Sequence, residues 1–187
     1  MGYIAPVTPP DPLEGNALEN AFQALVAGIT GLDPTLVRPR WQPDPPNQPD
    51  FATTWAAIGI TESDDDRFVY TVQKDADNIQ MERDQVLRVM FSFYGPNAQS
   101  MLDRFQDGIA LDRNREDILH TAGIKLVEIM KARQLPALLK EKWVKRLDVE
   151  GVFRRRKVRL YGVPAVVGGG IGLDNEFYVT PIIISNP

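Results

Sequence analysis

At 187 residues, 43% hydrophobic and 25% charged, the chain has an ordinary soluble globular composition and can bury roughly 70% of its unfolded surface without a disulfide or metal. The absence of cysteine excludes disulfide frameworks, Cys-ligated zinc, iron–sulfur clusters and thiol catalysis, and fits a reducing cytoplasm. A net charge of −4 argues against a surface built throughout for nucleic acid, but it averages 6 basic and 14 acidic residues over 1–100 with 15 and 11 over 101–187.

The N-terminal MGYIAPVTPPDP has no basic segment followed by an apolar run, and no apolar stretch approaches the ~20 residues needed to cross a bilayer. Neither secretion nor membrane insertion is expected. Residues 1–12 read as a Pro-rich arm that needs a partner to order it. A helix is predicted from about Asn16 to Thr30, with Ala17, Leu18, Ala21, Phe22, Leu25, Val26 and Ile29 on one stripe. Asn16 is its expected cap, Glu19 its capping-box acid, and Gly28 or Gly31 its end.

Residues 38–50, RPRWQPDPPNQPD, contain five prolines and read as a semi-rigid polyproline strap. Trp41 within it is expected to dock on the domain or on a neighbouring subunit, together with Pro45 and Pro46. Strands are predicted over 51–61, 67–73 and 79–94, separated by two acidic turns, and the economical arrangement is an antiparallel meander. In the third, Met81 through Phe93 at every second position share one face, with the first half exposed and the second buried.

Gly95-Pro96-Asn97 is expected to open a helix striped by Ala98, Met101, Leu102, Phe105 and Ile109, with Pro96 in its first turn. A short helix capped by Asn114 follows, then a strand over 124–130. The connector 135–143 has no assigned type, and 143–162 reads as one long strand or a tight hairpin. The tail holds VVGGGIGL, a glycine hinge, then FYVTPIII, whose Pro181 confines it to a sheet edge. Phe177, Tyr178, Ile182 and Ile183 there are candidate partner contacts. The predicted class is α+β: a mostly antiparallel sheet packed by helices, with extended N- and C-terminal arms. The division is an arm over 1–12, one domain over 13–162 and a Gly-hinged arm over 163–187.

Little in the chain nominates catalysis. His120 is the single histidine and the serines are at 63, 92, 100 and 185, with no nucleophile-elbow sequence near them. Asp64-Asp65-Asp66 lacks the glycine and distant glutamate of a calcium loop, and Gly168–Gly172 lacks the Lys-Ser/Thr ending of a phosphate loop. No catalytic, metal or cofactor residues are assigned, and no cofactor is expected. The one basic cluster is Arg154, Arg155, Arg156, Lys157 and Arg159, of which at most three can share a strand face. Its charges are solvated, bridge subunits, or line a passage for DNA held without sequence reading. Halves of opposite charge suit self-association.

RWQPDPPNQPD, then Thr54-Trp55-Ala56-Ala57-Ile58-Gly59, then FSFYGPNA at 91–98 resemble the tailed-bacteriophage neck terminator family, and the likeness runs over roughly residues 36–162. The resemblance implies a tail-terminator-like fold and a non-enzymatic virion protein of the neck, assembled in the host cytoplasm. It further implies a ring, generally a hexamer, that ends the tail tube and joins it to the head connector. The expected partners are thus other copies of the chain, the tail tube protein, head–tail connector or adaptor proteins, and passing genomic DNA, with no membrane. The alternatives are another connector or tail completion protein, or a non-specific DNA-binding accessory protein.

Overall fold

The computed structural model describes residues 4–7, 13–41, 48–139 and 141–163. Ten strands and three helices occur among them: β1 Pro6–Val7, α1 Gly15–Thr30, β2 Val37–Pro39, β3 Trp55–Asp65, β4 Tyr70–Gln73, β5 Asn78–Tyr94, α2 Ala98–Ala110, α3 Asp112–Arg115, β6 Ile124–Ile129, β7 Arg133–Gln134, β8 Ala137–Leu139, β9 Lys142–Val144 and β10 Arg146–Gly162. A π-helical turn, Glu116–His120, extends α3. The class is α+β.

Two 17-residue strands organise the molecule. β5 and β10 pair antiparallel along their whole length, from Arg146 opposite Tyr94 to Gly162 opposite Asn78. At about 3.3 Å per residue this ladder is ~55 Å long. β3 lies on the other edge of β5, pairing Trp55 with Tyr94 through Asp65 with Gln85, and β2 adds to β3 in parallel. β7, β6 and β1 lie in that succession along the outer edge of β10.

The predicted meander is not what forms. β3 runs through the first acidic turn as far as Asp65, and β4 then pairs with residues 79–82 of the same β5 edge. β5 is long enough to template two strands end to end, so the chain kinks at 66–69 without crossing the sheet. A bulge between Ile60 and Glu62 resets the side-chain alternation. It places Glu62 and Asp64 on one face and Ser63 and Asp65 on the other. The uncertain connector is a separate hairpin, β8–β9, so Trp143 belongs to β9 and the long strand starts at Arg146.

Helices cover one face of the sheet, over half of its length. Phe22 of α1 and Phe105 of α2 meet Phe91, Phe93 and Phe153, with Phe22 and Phe153 edge to face at 4.9 Å. Leu18, Leu25, Leu102, Ile109, Leu119 and Ile124 complete this core. Along β5 burial ends at Gln85, which is why the first half of the strand reads as exposed. Beyond Lys157 the ladder continues past the helices, with only β1 and β4 along its edges among the described residues.

Local starts and stops differ from expectation for tertiary reasons. α1 begins at Gly15 with no side-chain cap, and Asn16 lies inside its first turn. Arg155 instead donates to the Leu13 carbonyl and Arg159 pairs with Glu14, so the long strand anchors the helix start. Gly31 ends α1 in the left-handed conformation at φ 74°. Pro96 precedes α2 rather than opening it. Asn114 is no cap; its amide donates to the Gly108 carbonyl at 2.8 Å while Arg115 donates to that of Ile109. These two side chains satisfy carbonyls that the end of α2 leaves open.

Candidate functional site

The basic cluster of β10 is split by strand alternation. Arg154 and Arg156 point to the face away from the helices, about 60% exposed, whereas Arg155 and Lys157 are buried beneath the helical side at 4% and 8% exposure. Arg159 shares the latter face and reaches Glu14.

Each of the five has a partner. On the open face Arg154 meets Asp84 at 2.5 Å, and Arg156 bridges Asp84 at 3.1 Å and Glu82 at 3.2 Å. Hydrogen bonds from Arg154 and then Arg156 hold the Asp84 carboxyl below the usual range. On the helical side Arg155 Nε donates to Gln85 Oε1 at 2.6 Å, and the Gln85 amide donates to Ser63 at 2.7 Å and Asp65 at 2.6 Å. Lys157 donates to the other Asp65 oxygen at 2.6 Å. Burial pushes the Asp65 carboxyl up, but Lys157, Gln85 and Arg83 outweigh it and hold the group low. Burial lowers the Arg155 guanidinium, against the attraction of Glu14 and Asp65. This network closes the end of the apolar core below Phe153 and Leu87.

The rest of the open face is also charge-compensated. Arg88 joins Glu62 at 3.0 Å to Glu150 at 2.9 Å across three strands, and Arg146 binds Asp148 at 2.5 Å beside the Tyr94 ring. Trp55 stacks on Tyr94 at 4.1 Å. The strap enters over this end: the Arg40 amide donates to the Ile58 carbonyl and its guanidinium to Ser92 Oγ at 3.1 Å. Trp41 lies flat on Gly59, where a Cβ would come within 2.5 Å of its ring, and is itself 55% exposed. Pro45, Pro46, Phe177, Tyr178, Ile182 and Ile183 lie outside the described residues.

Two surfaces lay beyond the sequence reading. In the β8–β9 hairpin Leu138 pairs with Trp143, and this pair faces outward, 58% and 73% exposed, while Ala137 and Val144 face inward. In ALLKEKWV three apolar residues, three charged ones and two apolar ones follow in blocks, without the period-two alternation that marks a strand, and a hairpin this short is hard to distinguish from a loop. At the other end of the long ladder Phe68 and Tyr70 are 85% and 66% exposed.

The comparison with protein families agrees with the resemblance. A family model described as phage neck terminator protein matches residues 16–176, from α1 past the end of β10. A chain from a structure titled "Virion of native gene transfer agent (GTA) particle" is 18% identical, with 77% of this chain and 99% of that chain covered at a TM-score of 0.32. No curated protein matches the sequence. Because the family match spans both packed helices and the whole of the β5–β10 ladder, the chain belongs to the phage neck terminator family and is a structural component of the virion neck.

Proposed function

We propose that copies of this chain close into a ring of six that ends the tail tube, joins it to the head connector and lets genomic DNA pass through its lumen, on a tail-terminator-like body. The observation that carries this reading is the distribution of uncovered surface. Some 5 residue pairs, Asn78–Glu82 against Val158–Gly162, extend past the helical layer with β1 and β4 at their edges, and exposed aromatic residues stand towards both ends of the ladder. Exposed apolar surface of this kind marks contacts with other proteins. Pro6–Val7 pairs beside Leu160–Tyr161, so the segments 1–12 and 163–187 attach at the same end of the body. We read both as arms that grip neighbouring subunits or the flanking tube and connector proteins.

The DNA-binding alternative draws no support from the basic cluster, whose five cations are all engaged within the chain. Passing DNA is therefore enclosed rather than held. The test is native mass spectrometry and negative-stain microscopy of the purified full chain, followed by imaging of particles made without it. Closed six-fold rings, and tails that fail to join heads when the chain is missing, are the expected results. A chain that forms no ring in solution or in particles would overturn the proposal.

A further inference from the structure

The charges left over after ion pairing are segregated. Toward the tip of the ladder Asp66, Asp75 and Asp77 are in no ion pair among the described residues, against two cations in the same condition, Arg67 and Lys74. Around the β8–β9 hairpin the balance is reversed. Lys131, Arg133, Lys142 and Lys145 are exposed and in no ion pair among the described residues, against two carboxylates there, Glu141 and the Asp50 that shares a pocket with Lys142. Each surplus surrounds exposed apolar side chains: Phe68 and Tyr70 at the acidic end, Leu138 and Trp143 at the basic end.

The shapes are also complementary. Phe68 and Tyr70 flank a groove of about 410 Å³ bordered by the carboxylates Asp66, Glu82 and Asp84 and by Arg83 and Arg156. It has room for an indole ring. Trp143 projects from a hairpin that the body supports from behind through Ala137 and Val144. The two surfaces stand at opposite ends of one rigid ladder, so neither can fill the other within a single chain.

We infer that the aromatic groove of one copy, at Phe68 and Tyr70 with the unpaired Asp66 on its border, receives the basic hairpin of the next copy, at Leu138, Trp143 and Lys145. The occupant is a second copy because one chain carries both complementary halves. A contact between two different surfaces of the same protein is heterologous, and repeated with a closing rotation it generates a ring. The inference rests on the ring reading and supplies its contact. Apolar burial of Leu138 and Tyr70 beside Trp143 and Phe68 gives the contact a core that thiols at 68 and 143 reduce but do not abolish, while the surrounding charges set register and speed of association.

The chain has no cysteine, so introduced thiols report the contact directly. Full-length Phe68→Cys and Trp143→Cys variants are mixed, treated with a short bis-maleimide, and run on a denaturing gel. The mixture should give one covalent dimer, a chain carrying both substitutions a ladder ending at the ring's subunit number, and either single variant alone only monomer. Lys145→Glu should weaken association at least about tenfold, with recovery when Asp66→Lys is added to the same chain. Unchanged melting of the charge variants separates lost association from lost folding. Rings by native mass without a 68–143 link, or one single variant linking to itself, would overturn the inference and leave the ring reading standing. A chain that is monomeric in solution and makes no ring in particles would overturn both.

Discussion

Asp65 shows how the buried end of the basic cluster works. Its two oxygens take Gln85 and Lys157, and Lys157, at 8% exposure, has Asp65 as its ion-pair partner. Replacing the carboxylate with Asn removes the charge but keeps the shape, so a buried ammonium loses its compensation. About 1 kcal/mol of stability should be lost at pH 7, the lower end of the range for a buried group left without its partner, because Asp65 remains partly solvated. The sign with pH follows from the direction of the shift. The folded carboxyl titrates below its unfolded value of about 4, so its contribution is complete above that pH and is lost as pH falls through the folded pKa. Urea midpoints of the parent and Asp65→Asn should therefore differ at pH 7 and draw together only as pH falls below the ordinary carboxylate range. A difference independent of pH would show that the carboxylate's charge is not what matters. The cluster itself was legible as a run of cations, and alternation correctly limited how many could share a face. Its partners were not legible, because Asp84 and Asp65 lie 70 and 92 residues away from the cations they bind.

The helices could be read because the signal is local: the 3.6-residue stripes of α1 and α2 select the residues that are buried. Their mutual packing could not, and it depends on Gly108. A Cβ at this position would overlap Cγ2 of Ile29 on α1, a branch that cannot swing away without turning the whole side chain. Gly→Ala within a helix ordinarily stabilises by up to about 1 kcal/mol. Here overpacking should reverse the sign, with Gly108→Ala costing about 1 kcal/mol net. Adding Ile29→Ala should turn the Gly108→Ala step back to stabilising, and a double-mutant cycle in denaturant measures that coupling. Additive effects would mean that the helices do not meet at this point. Strand pairing was the harder problem for a related reason. Acidic turns at 62–66 and 74–78 announce changes of direction, but β3 and β4 share an edge only because β5 is 17 residues long, and its length against its partners is a tertiary fact.

At the scale of the whole chain, the sequence division into arm, domain and arm makes a prediction that the core now sharpens. Among the described residues the buried apolar ones run from Leu18 to Phe153, and β10 ends at Gly162. Ending the chain after Val163 therefore removes the glycine hinge and the proposed contacts Phe177, Tyr178, Ile182 and Ile183 without touching that core. For a domain of this size 1 kcal/mol shifts the melting temperature by roughly 2–4 °C. The truncated chain should melt within about 2 °C of the parent, and its 68–143 cross-link should still form, since both surfaces lie in the body. What should be lost is joining: particles carrying the truncation should accumulate separate heads and tails, because avidity around a ring requires every copy to contribute its arm. A fall in melting temperature well beyond 2 °C would make the terminal segment part of the fold. Normal joining with unchanged melting would move the grip to the N-terminal segment, which attaches at the same end beside Leu160 and Tyr161.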